Sequence, residues 1–192
     1  MSIPGYAHGD AALRESPISV DDFAAMQAVA LFGPDDTAAL QRSRPILAPQ
    51  VDAILDVWYG FVGSQPALLE QFSHEGRPVG AYLDRVRARF GQWILDTAEA
   101  RFDDAWLRWQ FEIGRRHHRV GKNLTDGVQS SAVVPLRYLF LLIQPVVHTL
   151  RSFLAATGEP EDVVTAMQEA WRKSLLLQIT LWAQPYVNPG DF

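Results

Sequence analysis

The stretch WLRWQFEIGRRHHRVGK, residues 106–122, decides how this chain folds. Written as a helix, it gathers one apolar face from positions three and four residues apart, namely Trp106, Trp109, Ile113, His117 and Val120. His117 is in phase with that face, and a neutral imidazole there can offer a ring nitrogen to a metal, a haem iron among the candidates. The commoner outcome for a lone histidine on an apolar face is a core residue whose nitrogens are satisfied by nearby carbonyls.

His118 competes with His117 for any such role. It lies about 100° further round the same helix, beside Leu107 and Phe111. Helical geometry therefore does not choose between the two histidines, although the apolar periodicity favours His117.

The composition indicates a folded soluble protein. Hydrophobic residues make up 48% of the 192 and charged residues 20%, which suits one ordinary domain with a sizeable core. The net charge of −5 supplies no basic field for nucleic acid. Cysteine is absent, which excludes disulfides, thiolate zinc sites and iron–sulfur clusters and fits a cytoplasmic location. No signal peptide is visible, and no apolar run approaches the ~20 residues of a membrane span.

Apolar residues recur at helical spacing along most of the chain and predict an all-α fold of about six to eight helices. Residues 1–18 contain two glycines and two prolines and predict an extended arm. Ser19 with Asp22 resembles a helix start, and Pro45 and Pro49 are expected to interrupt a later helix. No strand pattern is visible, and residues 72–78 predict a turn or loop. The main core helices are expected over residues 51–64, 79–98, 103–120, 133–156 and 161–183.

The last two of these segments are apolar on almost every side. Residues 138–143 read YLFLLI, with a kink predicted at Pro145, and residues 161–183 carry a long apolar stripe. Because a helix that is apolar all round is buried on both faces, we expect these two helices either at the centre of the fold or in a dimer interface.

Three aromatic residues accompany His117 as candidates for a binding pocket. Tyr59 lies near the core side of its helix, where a buried hydroxyl must find a partner. Trp58 and Phe90 offer large flat surfaces against which a planar group could pack. Aromatic residues at helical spacing most often belong simply to the core, and a flanking tyrosine often reaches water or a carbonyl.

A basic cluster, Arg115, Arg116 and Arg119, lies near the end of the His117 helix. It could meet the acidic groups of a haem or of a partner. Such a run is more often a solvated helix face, and positive charge is favourable near a helix C-terminus in any case. The sequence contains no phosphate-binding glycine loop, HExxH or GxSxG pattern, so hydrolase chemistry has no support.

Ordered blocks along nearly the whole chain resemble the protoglobins, single-domain relatives of the globin-coupled sensors. The strongest blocks are ILDVWYGFVGS (54–64), YLDRVRARFGQWILDT (82–97) and EIGRRHHR (112–119). Shorter ones are IPGY (3–6), TDGV (125–128) and PLRYL (135–139). The resemblance implies a single globin domain over residues 1–192. Its fold would be an enlarged globin fold, a helical sandwich with an N-terminal arm (1–18) and an extra leading helix in a haem-binding core (19–192).

The resemblance also implies a site for one haem b. By position in EIGRRHHR, His117 corresponds to the proximal iron ligand, and Tyr59 matches the distal donor of a hydrogen bond to O2. Other pocket residues implied position by position are Trp58, Phe90, Val86, Leu139, Leu142 and Val146, with Arg89 as a candidate partner of a haem propionate. In a helix, the second ring nitrogen of His117 could donate to the carbonyl of Ile113, four residues back.

The function expected from this resemblance is reversible binding of O2, CO and NO in a cytoplasmic homodimer joined through the two C-terminal helices. The sequence ends just after its last helix, so no output domain is expected within it. Two alternatives compete. One is a haem-dependent enzyme that disposes of NO or peroxide or transfers carbenes, which ranks second because no acid–base pair for peroxide cleavage is visible. The other is a haem-free helical interaction module, which would be colourless.

Overall fold

A computed structural model describes residues 3–188 and 190–192. These residues contain nine α-helices and three 3-10 segments, and residues 3–18 form turns without a helix, as predicted for the arm. The α-helices are α1 (Val20–Val29), α2 (Pro34–Leu47), α3 (Val51–Ser64), α4 (Pro66–Leu69), α5 (Gly80–Glu99), α6 (Asp104–His117), α7 (Leu136–Leu141), α8 (Ile143–Ala155) and α9 (Glu161–Ala183). The 3-10 segments are Ala48–Gln50, Glu70–Phe72 and Gln184–Tyr186. The all-α prediction is confirmed, with one helix more than the expected range.

Capping hydrogen bonds fix the predicted starts of α1 and α6. The Ser19 hydroxyl accepts from the Asp22 amide at 3.1 Å, and the Asp22 carboxylate accepts from the Ser19 amide at 3.2 Å. Asp103 Oδ1 accepts from the Trp106 amide at 2.9 Å. These contacts satisfy amide donors that the first turn of a helix leaves without a partner, so both starts are readable from the sequence.

Two of the three prolines act differently from the prediction. α2 continues through Pro45, close to its C-terminal end, where the missing amide removes only one late hydrogen bond. Pro49 lies in the 3-10 segment between α2 and α3 and interrupts the helical run there, as predicted. The segment 133–156 is two helices rather than one kinked helix, with the break at Leu142. Pro145 lies in the first turn of α8, where no amide donor is required, so the chain starts a new helix there.

A small hairpin occupies residues 73–78, where a turn or loop is expected. Ser73–His74 (β1) pairs antiparallel with Arg77–Pro78 (β2). Glu75 and Gly76 both have positive φ, 49° and 75°. This is the backbone of a two-residue turn whose twist matches that of the flanking strands, which explains why so short a hairpin forms.

α6 ends at His117 and does not continue to Val120, so the last part of the predicted apolar face is wrong. His118 is extended, and Val120 is 45% exposed. The chain folds back over the helix end so closely that a Cβ on Gly121 would lie 2.6 Å from the Arg115 carbonyl oxygen. The absence of a side chain at Gly121 therefore permits the reversal that ends the helix.

The core forms around α9, which packs against α2, α6 and α8. Met167 and Trp171 in its first half are completely buried. Three buried indole N–H groups in this core each find an acceptor on another helix: Trp171 on Ser43 Oγ at 2.9 Å, Trp93 on Gln178 Oε1 at 2.7 Å and Trp182 on Gln110 Oε1 at 2.7 Å. Because a buried N–H without a partner is costly, these bonds select one arrangement of the packed rings.

One segment in the described part of the chain is long and apolar enough to cross a membrane, judged by length and composition. This is Leu136–Ala155, with a mean hydropathy of 1.3 and 28% of the window buried. It comprises α7, which packs against α9, and α8, which packs against α3 and α9. Core helices of globular proteins meet the same criteria, so this segment does not indicate a membrane protein.

The contact between α6 and α9 depends on Gly114. A Cβ at this position would lie 2.8 Å from both Cα and O of Trp182, which are backbone atoms that cannot rotate away. We expect Gly114→Ala to lower the free energy of unfolding by about 1–3 kcal/mol, measured by urea denaturation, because overpacking outweighs the better helix propensity of alanine.

Gly60→Ala in α3 is the matched control for this substitution. A Cβ on Gly60 would meet nothing within 4 Å, so we expect a gain in stability of about 0.5–1 kcal/mol. Equal gains from both substitutions would contradict the close approach of α6 and α9.

Candidate functional site

A large, mostly apolar cavity lies inside the helical bundle, and all ten residues expected at the site line it. They are Trp58, Tyr59, Val86, Arg89, Phe90, Ile113, His117, Leu139, Leu142 and Val146. The volume of the cavity is about 250 Å³, whereas a single water needs only ~10–15 Å³. Its walls come from α3, α5, α6, α7, α8 and α9, so residues far apart in sequence meet around one space.

His117, the last residue of α6, presents a neutral imidazole to this cavity. Its Nδ1 lies 2.8 Å from the carbonyl oxygen of Ile113, the contact expected from helical spacing. Since a carbonyl only accepts, Nδ1 carries the proton and Nε2 carries the lone pair. Burial lowers the pKa of His117 to about 4. The hydrogen bond to Ile113 O partly offsets the effect of burial, and the positive charge of Lys122 also lowers the pKa. At neutral pH, Nε2 is therefore available as a metal ligand.

The structure separates the two histidines that the sequence leaves in competition. His117 lines the cavity, while His118 lies beyond the helix end and packs edge-on against Tyr186 with ring centroids 4.8 Å apart. His117 instead stacks on Trp182, with ring centroids 5.3 Å apart and the planes 11° from parallel. Termination of α6 between the two residues sends their side chains to different surroundings.

Tyr59 and its aromatic neighbours form another part of the wall. Burial raises the pKa of the Tyr59 phenol, so the hydroxyl keeps its proton. It makes no hydrogen bond to any residue in the described ranges, which leaves this donor available to a ligand in the cavity. Trp58 packs on Phe90 at 5.6 Å between ring centroids, and Phe90 stacks on Trp93 at 5.1 Å. Val86 adds only apolar surface.

The arm and two arginines border the cavity at one end. Arg89 makes a bidentate ion pair with Asp126, at 3.0 and 2.6 Å, and also donates to the Pro4 carbonyl at 3.1 Å. Arg116 donates to the Gly5 carbonyl and pairs with Glu112 at 2.8 Å. Two guanidinium groups therefore hold the backbone of the arm against the helical core.

The side chains of the arm add a second attachment. The Tyr6 hydroxyl donates to Asp96 at 2.6 Å, and His8 Nδ1 lies 2.8 Å from the same carboxylate. The Tyr6 ring packs on Trp109 at 4.9 Å between centroids and lines the cavity. The arm is thus part of the cavity wall.

Sequence reasoning missed two residues of this site, Trp182 and Lys122, and left the role of Arg116 open. Trp182 contacts His117 directly, yet its position in the apolar stripe of α9 predicts only a core residue. Arg116 lines the cavity, which favours, for this residue, the binding role over the solvated helix face that the sequence also allowed. Lys122 is 6% exposed and donates to Gln71 O, Tyr82 Oη and Ser130 Oγ at 2.9–3.1 Å. Burial lowers the pKa of Lys122 to about 8. Its position just after a glycine in a turn-rich segment carries no sequence signal for burial.

The donor set fits a metal that brings most of its own ligands. Among the described residues, no group of three or more histidine, cysteine, aspartate or glutamate side chains could hold a bare metal ion. One neutral imidazole facing a broad apolar space suits an iron held mainly by a planar macrocycle. The arginines at the end of the cavity suit the carboxylates of such a macrocycle. The residues present therefore fit a haem.

Comparison with known proteins agrees with this geometry. The chain is similar to a solved structure, the globin domain of the Geobacter sulfurreducens globin-coupled sensor, with a TM-score of 0.67 and 16% sequence identity. The similarity covers 86% of this chain and 97% of that domain, and at this identity it shows the fold alone. No curated protein matches the chain by sequence.

The sequence model of the protoglobin family matches residues 20–191, which is nearly the whole chain. This match is stronger evidence of family membership than the structural similarity, because it rests on the sequence itself. The chain therefore belongs to the protoglobin family and has the all-α globin fold.

Proposed function

We propose that this globin binds haem b through His117 Nε2 and reversibly binds O2, CO and NO, in gas binding or sensing. The observation that carries the proposal is the imidazole of His117, which faces the cavity. Its Nδ1 proton is donated to Ile113 O, and its Nε2 is free to bind a metal. Family membership implies haem binding, and the haem type and the gases are the finer steps proposed here. The bound haem would supply an iron with one open coordination position for a diatomic gas.

The residues that line the cavity would then have three different roles in binding the haem and its gas ligand. Tyr59 keeps its phenolic proton and donates a hydrogen bond to the ligand, since Val86 has no polar group to do so. Trp58, Phe90, Leu139, Leu142 and Val146 exclude water from the cavity. Arg89 and Arg116 supply positive charge where the cavity meets the arm, for the propionates of the haem.

The charged groups of the cavity favour gas binding over peroxide chemistry. Efficient peroxide cleavage needs an acid–base group close to the reacting oxygen atoms. Among the described residues that line the cavity, His117 and Asp126 are the sole histidine and carboxylate. His117 is assigned to the iron, and Asp126 is held by Arg89. Lys122, the remaining titratable group with a pKa near neutral, already donates to three oxygen atoms of the protein. The haem-dependent enzyme therefore remains the second candidate.

We further propose a homodimer through α7, α8 and α9. Leu141 in α7 is 66% exposed and Leu176 in α9 is 44% exposed, and the exposed face of α7 also carries Phe140. The helices α7 and α9 pack together, so these apolar side chains lie on neighbouring elements. Burial of such a surface in a second copy would be favourable by ~25 cal/mol per Å². The cytoplasmic location stays a prediction.

The haem and its ligand are tested by absorption spectra of the ferric, ferrous and CO-bound protein. We expect a strong Soret band that shifts with CO, and its loss or alteration in His117→Ala. The matched control is His118→Ala, which should leave the spectrum unchanged because His118 lies outside the cavity. A colourless protein that takes up no haem would refute the proposal, and the reverse pattern in the two variants would move the ligand to His118.

The role of Tyr59 is tested by the rates at which O2 and CO dissociate. We expect Tyr59→Phe to speed O2 dissociation about 10- to 100-fold, because a hydrogen bond to a charged group contributes ~1.5–3 kcal/mol. CO dissociation should change little, since bound CO carries less negative charge. Tyr138→Phe, outside the set of residues that line the cavity, is the control. Equal changes for both gases would indicate a steric effect instead of a hydrogen bond.

The dimer is tested by sedimentation equilibrium of the haem-loaded protein. We expect a dimer in the wild type and a monomer in Leu141→Glu combined with Leu176→Glu, because burying unpaired carboxylates in an apolar interface is unfavourable. Val29→Glu, at an exposed apolar residue at the end of α1, should leave the dimer intact. A wild-type monomer at micromolar concentrations, or a dimer that persists in the double variant, would contradict this interface.

A further inference from the structure

Trp182, near the C-terminal end of α9, covers one face of the His117 ring. The ring centroids are 5.3 Å apart and the planes differ by 11°, within the range of offset stacking. The Nδ1 bond to Ile113 O restrains rotation of the imidazole about its Cβ–Cγ bond, but a single hydrogen bond still allows a range of ring angles. A flat neighbour parallel to the ring opposes this remaining rotation.

Gln110 in turn holds Trp182. The indole N–H donates to Gln110 Oε1 at 2.7 Å, and Gln110 is only 1% exposed. Gln110 lies in α6 seven residues before His117, which is about two helical turns and places both side chains on the same side of the helix. Gly114 lies between them, and its missing side chain lets the Trp182 backbone approach α6. One helix therefore carries the imidazole and the group that positions its stacking partner.

We propose that Gln110, acting through Trp182, sets the plane of the His117 imidazole and thereby the strength of the bond that this ring makes to haem iron. The inference rests on the proposed function. Groups that orient a metal-bound histidine tune its basicity and its bond to the metal. Gln110 and Trp182 are positioning residues, since neither offers a metal ligand.

A merely structural role for Gln110 is the alternative, because any buried indole N–H needs an acceptor. The chain contains a matched pair that separates the two roles. Trp93 Nε1 donates to Gln178 Oε1, also at 2.7 Å, and Gln178 is 0% exposed. Trp93 does not stack on His117, and its neighbours are Phe90, Trp171 and Trp182. Loss of Gln178 should therefore cost stability without reorienting the imidazole.

The test is the iron–histidine stretching band in the resonance Raman spectrum of the ferrous, ligand-free holoprotein. We expect this band to shift and broaden in Gln110→Leu, and haem transfer to a scavenging apoglobin to accelerate about tenfold or more. Gln178→Leu should lose at least as much thermal stability, because Gln178 Nε2 also donates to Thr97 and Ser174, and its band should be unchanged. An unchanged band in Gln110→Leu would overturn the proposal and leave Gln110 a structural role.

A second pair of variants decides the question even if Gln110→Leu fails to fold. Trp182→Phe keeps a flat ring and needs no acceptor for an N–H, so we expect its band to stay close to that of the wild type. Trp182→Leu removes the flat ring and should shift the band. The same band in both variants would overturn the stacking role. Failure of the wild type to take up haem would instead refute the proposed function, and this inference with it.

Discussion

The site depends on one interaction, the hydrogen bond that His117 Nδ1 donates to the carbonyl oxygen of Ile113 in an apolar environment. Burial keeps the imidazole neutral, and the carbonyl decides which nitrogen carries the proton. Nε2 is then the only nitrogen of this ring left to bind anything. The end of α6 at His117 is part of the same constraint, because a continued helix would bring further side chains beside the imidazole. The reversal at Gly121 instead turns the chain away from the ring.

The cavity combines an apolar interior with charges confined to its end. Arg89 and Arg116 are each held by a carboxylate and by a carbonyl of the arm, so their positions are set before any ligand arrives. Lys122 is similar in being surrounded by oxygen atoms of several elements, although no carboxylate of the described residues pairs with it. Preorganised groups of this kind lose little conformational entropy when a ligand binds. A further positive charge lies near Tyr59: the guanidinium of Arg87, in α5, is 5.9 Å from the centroid of the tyrosine ring.

Much of this architecture could be predicted because local chemistry and tertiary structure agree. The caps at Ser19 and Asp103 and the apolar stripe of α9 specify their helices without knowledge of neighbours. The resemblance to the protoglobins, together with helical spacing for Ile113, implied the ten residues that line the cavity. Contacts between distant elements could not be predicted in this way. The stacking of Trp182 on His117 and the burial of Lys122 depend on how α9 and the turns after α6 pack, which periodicity does not encode. The effects of Pro45 and Pro145 differ from the prediction because a proline late in α2, or in the first turn of α8, removes few hydrogen bonds.

The attachment of the arm determines which changes in its sequence the fold can accept. Arg89 and Arg116 bind the carbonyl oxygens of Pro4 and Gly5, which are backbone atoms common to every residue type. The identity of most side chains there is therefore under little selection from these contacts, whereas the spacing along the chain is under strong selection. Gly5 is the exception, because its φ of +75° and its approach to Arg89 leave no room for a Cβ. Tyr6 and His8 are further exceptions, since their side chains bond Asp96. Relatives of this chain should accordingly tolerate exchange of the remaining residues around Gly5 far better than insertion or deletion of one.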